Sequence, residues 1–218
     1  MNLPPSVEAT RVLLVDDHAI VRRGLRQLFE REPDFTVCGE AATETEAFDL
    51  VETLAPDLLV TDLTLEGRSG LDLIKRVHTY YGDLPVLVVS MHDERVYAHR
   101  ALAAGAQGYV MKRSTDAEIV KAARAVRDGM AYCEKTIRCS ADLPGGEDSP
   151  VTLLSDRELE VFLLIGEGFT PQHIAERLSL SVSTVEVYRQ RIKKKLDIES
   201  APMLLRYAVR WCRDRATS

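Results

Sequence analysis

Arg11-Val12-Leu13-Leu14-Val15-Asp16-Asp17 is a short apolar run that ends in two carboxylates, and the chain repeats the device. Leu58-Leu59-Val60-Thr61 runs into Asp62, Val86-Leu87-Val88-Val89 into Ser90, and Gly108-Tyr109-Val110-Met111 into Lys112. Phe35–Gly39 (FTVCG) is a fifth short apolar run. These runs lack the in–out alternation of a strand with one wet face, so both faces must be covered, as in a parallel sheet. Between them apolar residues recur at helical spacing. The sets are Val21, Leu25, Leu28, Phe29; Ala47, Leu50, Val51, Leu54; Leu71, Ile74, Val77; and Ile119, Val120, Ala123, Val126. The alternation predicts an α/β domain over residues 9–130, with a doubly wound five-stranded parallel sheet and right-handed crossovers.

In such a sheet the carboxyl ends of all strands share one edge, and sites form there at the switch in strand order. Asp16, Asp17, Asp62, Ser90 and Lys112 are therefore expected to converge. Each alone has an ordinary explanation: an Asp at a strand end caps a turn, and a Lys after a strand sits in solvent. At four strand ends together they point to chemistry. Crowded carboxylates call for a hard cation, and Mg²⁺ prefers oxygen ligands. A carboxylate beside it can attack phosphorus to give an aspartyl phosphate. Lys112 would offset the phosphoryl charge, and Ser90 would donate a hydrogen bond to a phosphoryl oxygen.

The chain has 218 residues and a formal net charge of −6, which at first sight argues against nucleic acid. The charge is uneven, however. Residues 149–218 hold 11 Lys and Arg against 9 Asp and Glu, while residues 1–148 hold 17 against 25. The halves have separate jobs. Residues 140–150, SADLPGGEDSP, have linker composition, so 131–150 is expected to link two domains.

From Val151 to Ser218 the pattern is all helical, with four helices. Ser155 with Glu158 reads as a capping box for a helix over Asp156–Gly166. Thr170 with Pro171 starts the next. Ser181 or Ser183 begins a third, through Leu196, and Pro202–Arg213 forms a fourth. A short helix, a turn at Ser179–Ser181 and a basic helix have helix-turn-helix proportions. Residues 181–195 hold five Lys and Arg and one Glu. Val185, Tyr188, Ile192 and Leu196 fall on one side of that helix, and Ser183, Val187, Gln190 and Lys194 on the other. A solvated face explains a basic run alone. Within a helix-turn-helix, the same face suits a major groove of double-stranded DNA.

The four cysteines form no CxxC pair and sit at no zinc spacing, so reduced thiols are expected. The N-terminus lacks the pattern of a secretory signal, and no apolar run approaches the ~20 residues of a membrane span. A cytoplasmic protein with no membrane partner is expected.

Residues 11–130 resemble the CheY-like receiver domain of two-component response regulators, on Asp16-Asp17, Asp62, Ser90, Tyr109 and Lys112. The resemblance implies that Asp62 is the phosphoacceptor, served by a histidine kinase and Mg²⁺. Asp17 would ligate the metal directly beside Asp62, Asp16 mainly through water, and the backbone carbonyl of Thr64 would add a third protein oxygen. Tyr109 would be a switch that turns inward when Ser90 moves toward the phosphoryl group. Thr64 and His92 would border that group. Two positions depart from the family: Glu66 and Arg113 stand where it commonly has proline.

Residues 152–213 resemble the LuxR/NarL-type DNA-binding domain. The matching stretches are Leu154-Ser155-Asp156-Arg157-Glu158, Ile174-Ala175, Ser183-Thr184-Val185-Glu186-Val187-Tyr188-Arg189, and Leu196. Tyr188 replaces a usual His. Both halves together resemble the NarL/FixJ family of transcription regulators. By that resemblance Ser183–Leu196 is the recognition helix, with Glu186, Val187 and Gln190 toward bases and Thr184, Arg189, Lys193 and Lys194 toward phosphates. Part of the last helix would pack under it and the rest would form a homodimer contact on DNA. Three rivals are weaker. A metal-dependent phosphatase often carries an Asp-x-Asp pair, which Asp62-Leu63-Thr64 lacks. The full acidic pocket argues against a regulator that binds DNA independently of phosphorylation. The basic helix argues against a receiver acting only through protein partners.

Overall fold

The computed structural model describes residues 9–65, 68–133 and 150–216. Glu66 and most of the expected linker, with Cys139, lie outside the described residues. The chain divides into two compact units, one within residues 1–139 and the other within 140–218.

The first unit is a five-stranded parallel sheet in the order β2-β1-β3-β6-β7. Its strands are β1 (Thr10–Val15), β2 (Phe35–Ala41), β3 (Leu58–Thr61), β6 (Val86–Ser90) and β7 (Gly108–Met111). The expected strands are present and some run one or two residues longer. Between β3 and β6 lies a small antiparallel pair, β4 (Thr64–Leu65) and β5 (Arg68–Ser69), which periodicity is too short to reveal. The helices are α1 (Ala19–Glu30), α2 (Glu44–Leu54), α3 (Gly70–Tyr80), α4 (Glu94–Ala104) and α5 (Asp116–Arg127).

Strand side chains alternate between two buried faces. Val12, Leu14, Leu58, Val60, Leu87 and Val89 meet Leu25, Phe29, Ile119 and Val126 of α1 and α5. Leu13, Leu59 and Val88 fill the opposite face and are fully buried too. Each such aliphatic contributes roughly 1.5–3 kcal/mol by leaving water. Helix α4 has no counterpart among the helical patterns in the sequence. Its buried apolar residues are Tyr97, Ala98, Ala101 and Ala104, and alanine gives little hydropathic contrast.

Asp34, just before β2, ties this edge to α5. It accepts from Arg124 Nε at 2.9 Å and Nη2 at 2.7 Å, and from Arg127 Nη1 at 2.9 Å. Arg124 above all, then Arg127, outweighs burial and holds the Asp34 carboxyl well below the usual range. Asp34→Asn should cost about 1 kcal/mol at neutral pH. A depressed carboxylate stabilises the fold above its unfolded value, near ~4, and the contribution is lost as pH falls below that. In urea titrations the gap between variant and wild type should therefore narrow between about pH 5 and pH 2. A gap independent of pH would mean that the ion pairs contribute nothing.

The second unit opens with a 3-10 turn, Pro150–Leu153, followed by α6 (Asp156–Gly166), α7 (Pro171–Arg177), α8 (Val182–Lys195) and α9 (Ala201–Ala216). The capping box on α6 is present, with Glu158 N–H donating to Ser155 Oγ and Ser155 N–H to Glu158 Oε2. Thr170 caps α7, and Ser181 caps α8. Ser179, in the turn before α8, has φ +52°, a conformation that costs an L residue roughly 1 kcal/mol. The core forms where Phe162 meets Tyr207 and Trp211, at centroid distances of 5.9 and 5.6 Å. Gly166 lets α6 and α9 approach: a Cβ there would lie 2.4 Å from Cys212 Sγ and 2.9 Å from the Ala208 carbonyl. Among the described residues no helix is long and apolar enough to cross a membrane.

Candidate functional site

The register of the sheet places the first site. Val15 pairs with Thr61 across β1 and β3, so Asp16 and Asp62 leave the sheet side by side. Asp62 N–H donates to the Val15 carbonyl at 2.9 Å. Ser90 pairs with Met111, so Lys112 follows at the same edge, its N–H on the Ser90 carbonyl at 2.8 Å. The order β2-β1-β3 makes the gap between β1 and β3 the switch point.

Three of the expected residues meet directly. Lys112 Nζ donates to Asp62 Oδ2 at 2.7 Å and ion-pairs with Asp16 Oδ2. All three side chains are buried. Asp62 Oδ1 accepts from Leu63 N–H at 2.6 Å. Burial alone would lower Lys112, but Asp62 and Asp16 outweigh it and hold the ammonium above its ordinary value. Burial pushes the Asp16 carboxyl up, more than Lys112 and the His18 N–H pull it down.

Asp17 stands at the rim, with His18 Nδ1 2.6 Å from its Oδ1. Asp16 Oδ2 and Asp17 Oδ1 are enclosed without a well-directed hydrogen bond, despite the nearby ammonium and imidazole. One ammonium among three carboxylates leaves about two negative charges. Ligand atoms of Asp16, Asp17 and His18 lie within 4.8 Å of one another. The carboxylate oxygens of this set, hard, anionic and under-satisfied, fit a divalent cation.

Around the pocket, Thr64 Oγ1 hydrogen-bonds His92 Nε2 at 2.9 Å, so the two residues expected to border a phosphoryl group hold each other. Ser90 is fully buried and its Oγ takes a long bond from His92 N–H, 3.4 Å. Tyr109, expected to turn inward on activation, is already fully enclosed here. Its hydroxyl donates to the His92 carbonyl at 3.0 Å and also meets Ser90.

Three residues escape the sequence reading. His18 directly follows the acid pair, yet a lone His after two Asp carries no metal-ligand spacing. Arg22, one helical turn into α1, donates to the Asp16 carbonyl at 2.5 Å. At Gly70 a Cβ would lie 2.1 Å from the Asp62 carbonyl oxygen. Only the register of α3 against β3 reveals that need.

The second site is α8. Val185 and Ile192 are fully buried, whereas Ser183, Val187, Gln190, Arg191 and Lys194 are exposed. The inner and outer faces are thus as the periodicity predicts. Thr184 is engaged at the helix start, its N–H and Oγ1 both on Ser181 Oγ, at 3.1 and 2.7 Å. Lys193 is half-buried. Arg189 Nη1 lies 2.5 Å from Glu186 Oε1. Lys195 is anchored to α6, donating to Glu158 Oε2 at 2.6 Å and the Leu153 carbonyl at 3.1 Å. That tie fixes the C-terminal end of the basic helix.

Comparison with known proteins agrees with both halves. Residues 12–124 match the response regulator receiver domain, and residues 152–208 match the bacterial regulatory proteins of the luxR family. The oxygen regulatory protein NreC of Staphylococcus epidermidis is 33% identical over 211 residues, covering 92% of this chain and 97% of that one. NreC of Staphylococcus carnosus is 32% identical over 210 residues, with the same coverage. RcsB of Salmonella typhimurium, a response regulator of known structure, superposes with a TM-score of 0.68 at 27% identity, over 93% of this chain and 98% of that one. RcsB has also been solved bound to the promoter P1flhDC in the presence of the phosphomimetic BeF3⁻ (TM-score 0.63, 27% identity, 92% and 98% covered). With a receiver pocket on one unit and a LuxR-type helix-turn-helix on the other, this chain belongs to the two-component response regulators of the NarL/FixJ type.

Proposed function

We propose that this chain is a cytoplasmic transcription factor switched by phosphorylation of Asp62, in a Mg²⁺-dependent reaction with a partner histidine kinase. Phosphorylation then controls dimerisation and sequence-specific binding to double-stranded DNA. The observation that carries this reading is the Asp62 carboxylate, enclosed at the switch point with Lys112 at 2.7 Å and Asp16 on the same ammonium. RcsB bound to a promoter with a phosphomimetic supports it by analogy.

Asp16, Asp17, Asp62 and the Thr64 carbonyl would hold the Mg²⁺, which supplies charge neutralisation for the incoming phosphoryl group. An Asp62 oxygen forms the new O–P bond as the bond from phosphorus to the donor's leaving group breaks. Lys112 stays charged and offsets the added negative charge. Ser90 donates to a phosphoryl oxygen, which takes its hydroxyl from Tyr109 and leaves that ring on the His92 carbonyl. In α8, Glu186, Val187 and Gln190 face bases, and Thr184, Lys193 and Lys194 serve phosphates. Arg189, expected among the phosphate set, is instead paired with Glu186. Met203, Leu205 and Val209, half-exposed on α9, supply the dimer contact.

Incubation of the full chain with acetyl phosphate and Mg²⁺ tests this. Intact mass should rise by one phosphoryl group, a chelator should block the rise, and light scattering should show a dimer. The phosphorylated chain should also bind a duplex selected from a random library more tightly. No mass gain would sink the reading. A mass gain with unchanged association and DNA affinity would favour a regulator that binds DNA independently of phosphorylation.

A further inference from the structure

Glu186 is the one anion among five cations in residues 181–195. Sequence-independent DNA binding is almost wholly electrostatic, and each phosphate neutralised steepens the salt dependence, log K against log [salt], by about 0.9. An anion on this face therefore opposes general binding. Its geometry shows which cation it opposes. Glu186 Oε1 lies 2.5 Å from Arg189 Nη1, one helical turn further on.

Exposed pairs at this spacing are weak and yield readily to water. In this pair only the acid is exposed. The Arg189 side chain is only 20% exposed, against 46% for Glu186, and its Nε is enclosed with no acceptor. The guanidinium is thus largely enclosed, and its Nη1 donor is taken by the carboxylate. Arginine grips phosphate with a paired fork of donors, so masking it removes the strongest general contact this helix could offer. Arg191 and Lys194, by contrast, stand exposed.

We propose that Glu186 holds Arg189 off the phosphates of DNA, so that the pair suppresses sequence-independent binding and raises the specificity of the recognition helix. The proposal rests on the reading of α8 as that helix. Glu186 then acts on specificity through Arg189, as a positioning residue, and not only by facing a base.

Phosphorylated full-length chain would be titrated by fluorescence anisotropy, over a range of salt, with two duplexes: the best from a random-library selection and a scramble of it. Glu186→Gln should free Arg189. Affinity for the scramble should rise several-fold, the salt slope should steepen by about 0.9, and the ratio of selected to scrambled affinity should fall by a similar factor. Arg189→Gln should leave the slope of wild type unchanged, because Arg189 neutralises no phosphate there. In the double variant the slope should return to the wild-type value. A slope flatter by about 0.9 in Arg189→Gln alone would show Arg189 already on a phosphate and overturn the proposal. An unchanged slope in Glu186→Gln would overturn it as well. Lys194→Gln is the control for the underlying reading: it should flatten the slope by about 0.9 whatever the pair does. If it does not, α8 is not the DNA-binding element, and the failure lies there. Circular dichroism of each variant would confirm an intact second unit.

Discussion

Asp62→Asn will take up no phosphoryl group from acetyl phosphate, yet the receiver will remain folded. The carboxylate of Asp62 uses both oxygens, Oδ2 for Lys112 at 2.7 Å and Oδ1 for Leu63 N–H at 2.6 Å. An amide offers one oxygen. Its NH₂ must face either the ammonium or the backbone N–H, and an unmet buried donor costs about 1–3 kcal/mol. Against this, one of two carboxylates sharing a single ammonium is removed, and the repulsion that Asp62 exerts on Asp16 disappears. These effects oppose, so the thermal midpoint should shift by only a few degrees, on the order of 4 °C at most. The chemistry has no such compensation, because an amide nitrogen is not a nucleophile toward phosphorus at neutral pH. Loss of labelling in a folded protein therefore separates the reaction from the fold. Wild-type labelling in the variant would place the acceptor elsewhere. Collapse of the fold would mean that the Asp62–Lys112 pair is structural first.

The strands were legible because burial on both faces leaves an uninterrupted apolar signature, and most helices because one buried face repeats at helical spacing. The acidic pocket was legible because strand ends share an edge, so four separated positions in sequence become one site. What stayed hidden is instructive. Helix α4 buries Tyr97 with three alanines, and small residues write no amphipathic stripe. The two-residue strands β4 and β5 are shorter than any period. The Thr64–His92 hydrogen bond was half visible, as two residues flanking the same site, but their direct contact required the loops in space.

In the second unit the caps were the most readable feature, since a side-chain oxygen three residues before a glutamate has a local cause. The inner face of α8 was readable from the helical spacing of its apolar residues. The pairing of Glu186 with Arg189 was not, because spacing permits it on any helix and only burial of the arginine gives it weight. Lys195 likewise reads as one more basic residue of the helix end. Its anchoring to Glu158 of α6 depends on how two helices cross.

Gly70→Ala should have the largest effect on stability of any single methyl added to the receiver, and Gly24→Ala should have the opposite sign. At Gly70 the new Cβ would sit 2.1 Å from the Asp62 carbonyl oxygen and 2.8 Å from Leu63 Cα. Both are backbone atoms in the segment that carries Asp62, so no rotamer change relieves the clash. The start of α3 or the β3–β4 connection must move, and with it the hydrogen bond from Gly70 N–H to the Leu63 carbonyl at 2.7 Å. Overpacking of this kind costs roughly 3 kcal/mol. The displaced carboxylate should also slow phosphoryl uptake, since it would no longer sit squarely on Lys112. Gly39 shows the contrast: there a Cβ would meet the Leu54 and Leu13 side-chain ends, which can swing aside. Gly24, exposed in the middle of α1, has nothing within 4 Å of a built Cβ. Alanine there loses less backbone entropy on folding and should add up to about 1 kcal/mol. Urea denaturation of the two variants against wild type measures both signs in one experiment. If Gly70→Ala is as stable as wild type and labels at the same rate, the connection after Asp62 is softer than its packing indicates, and the glycine is not what positions Asp62.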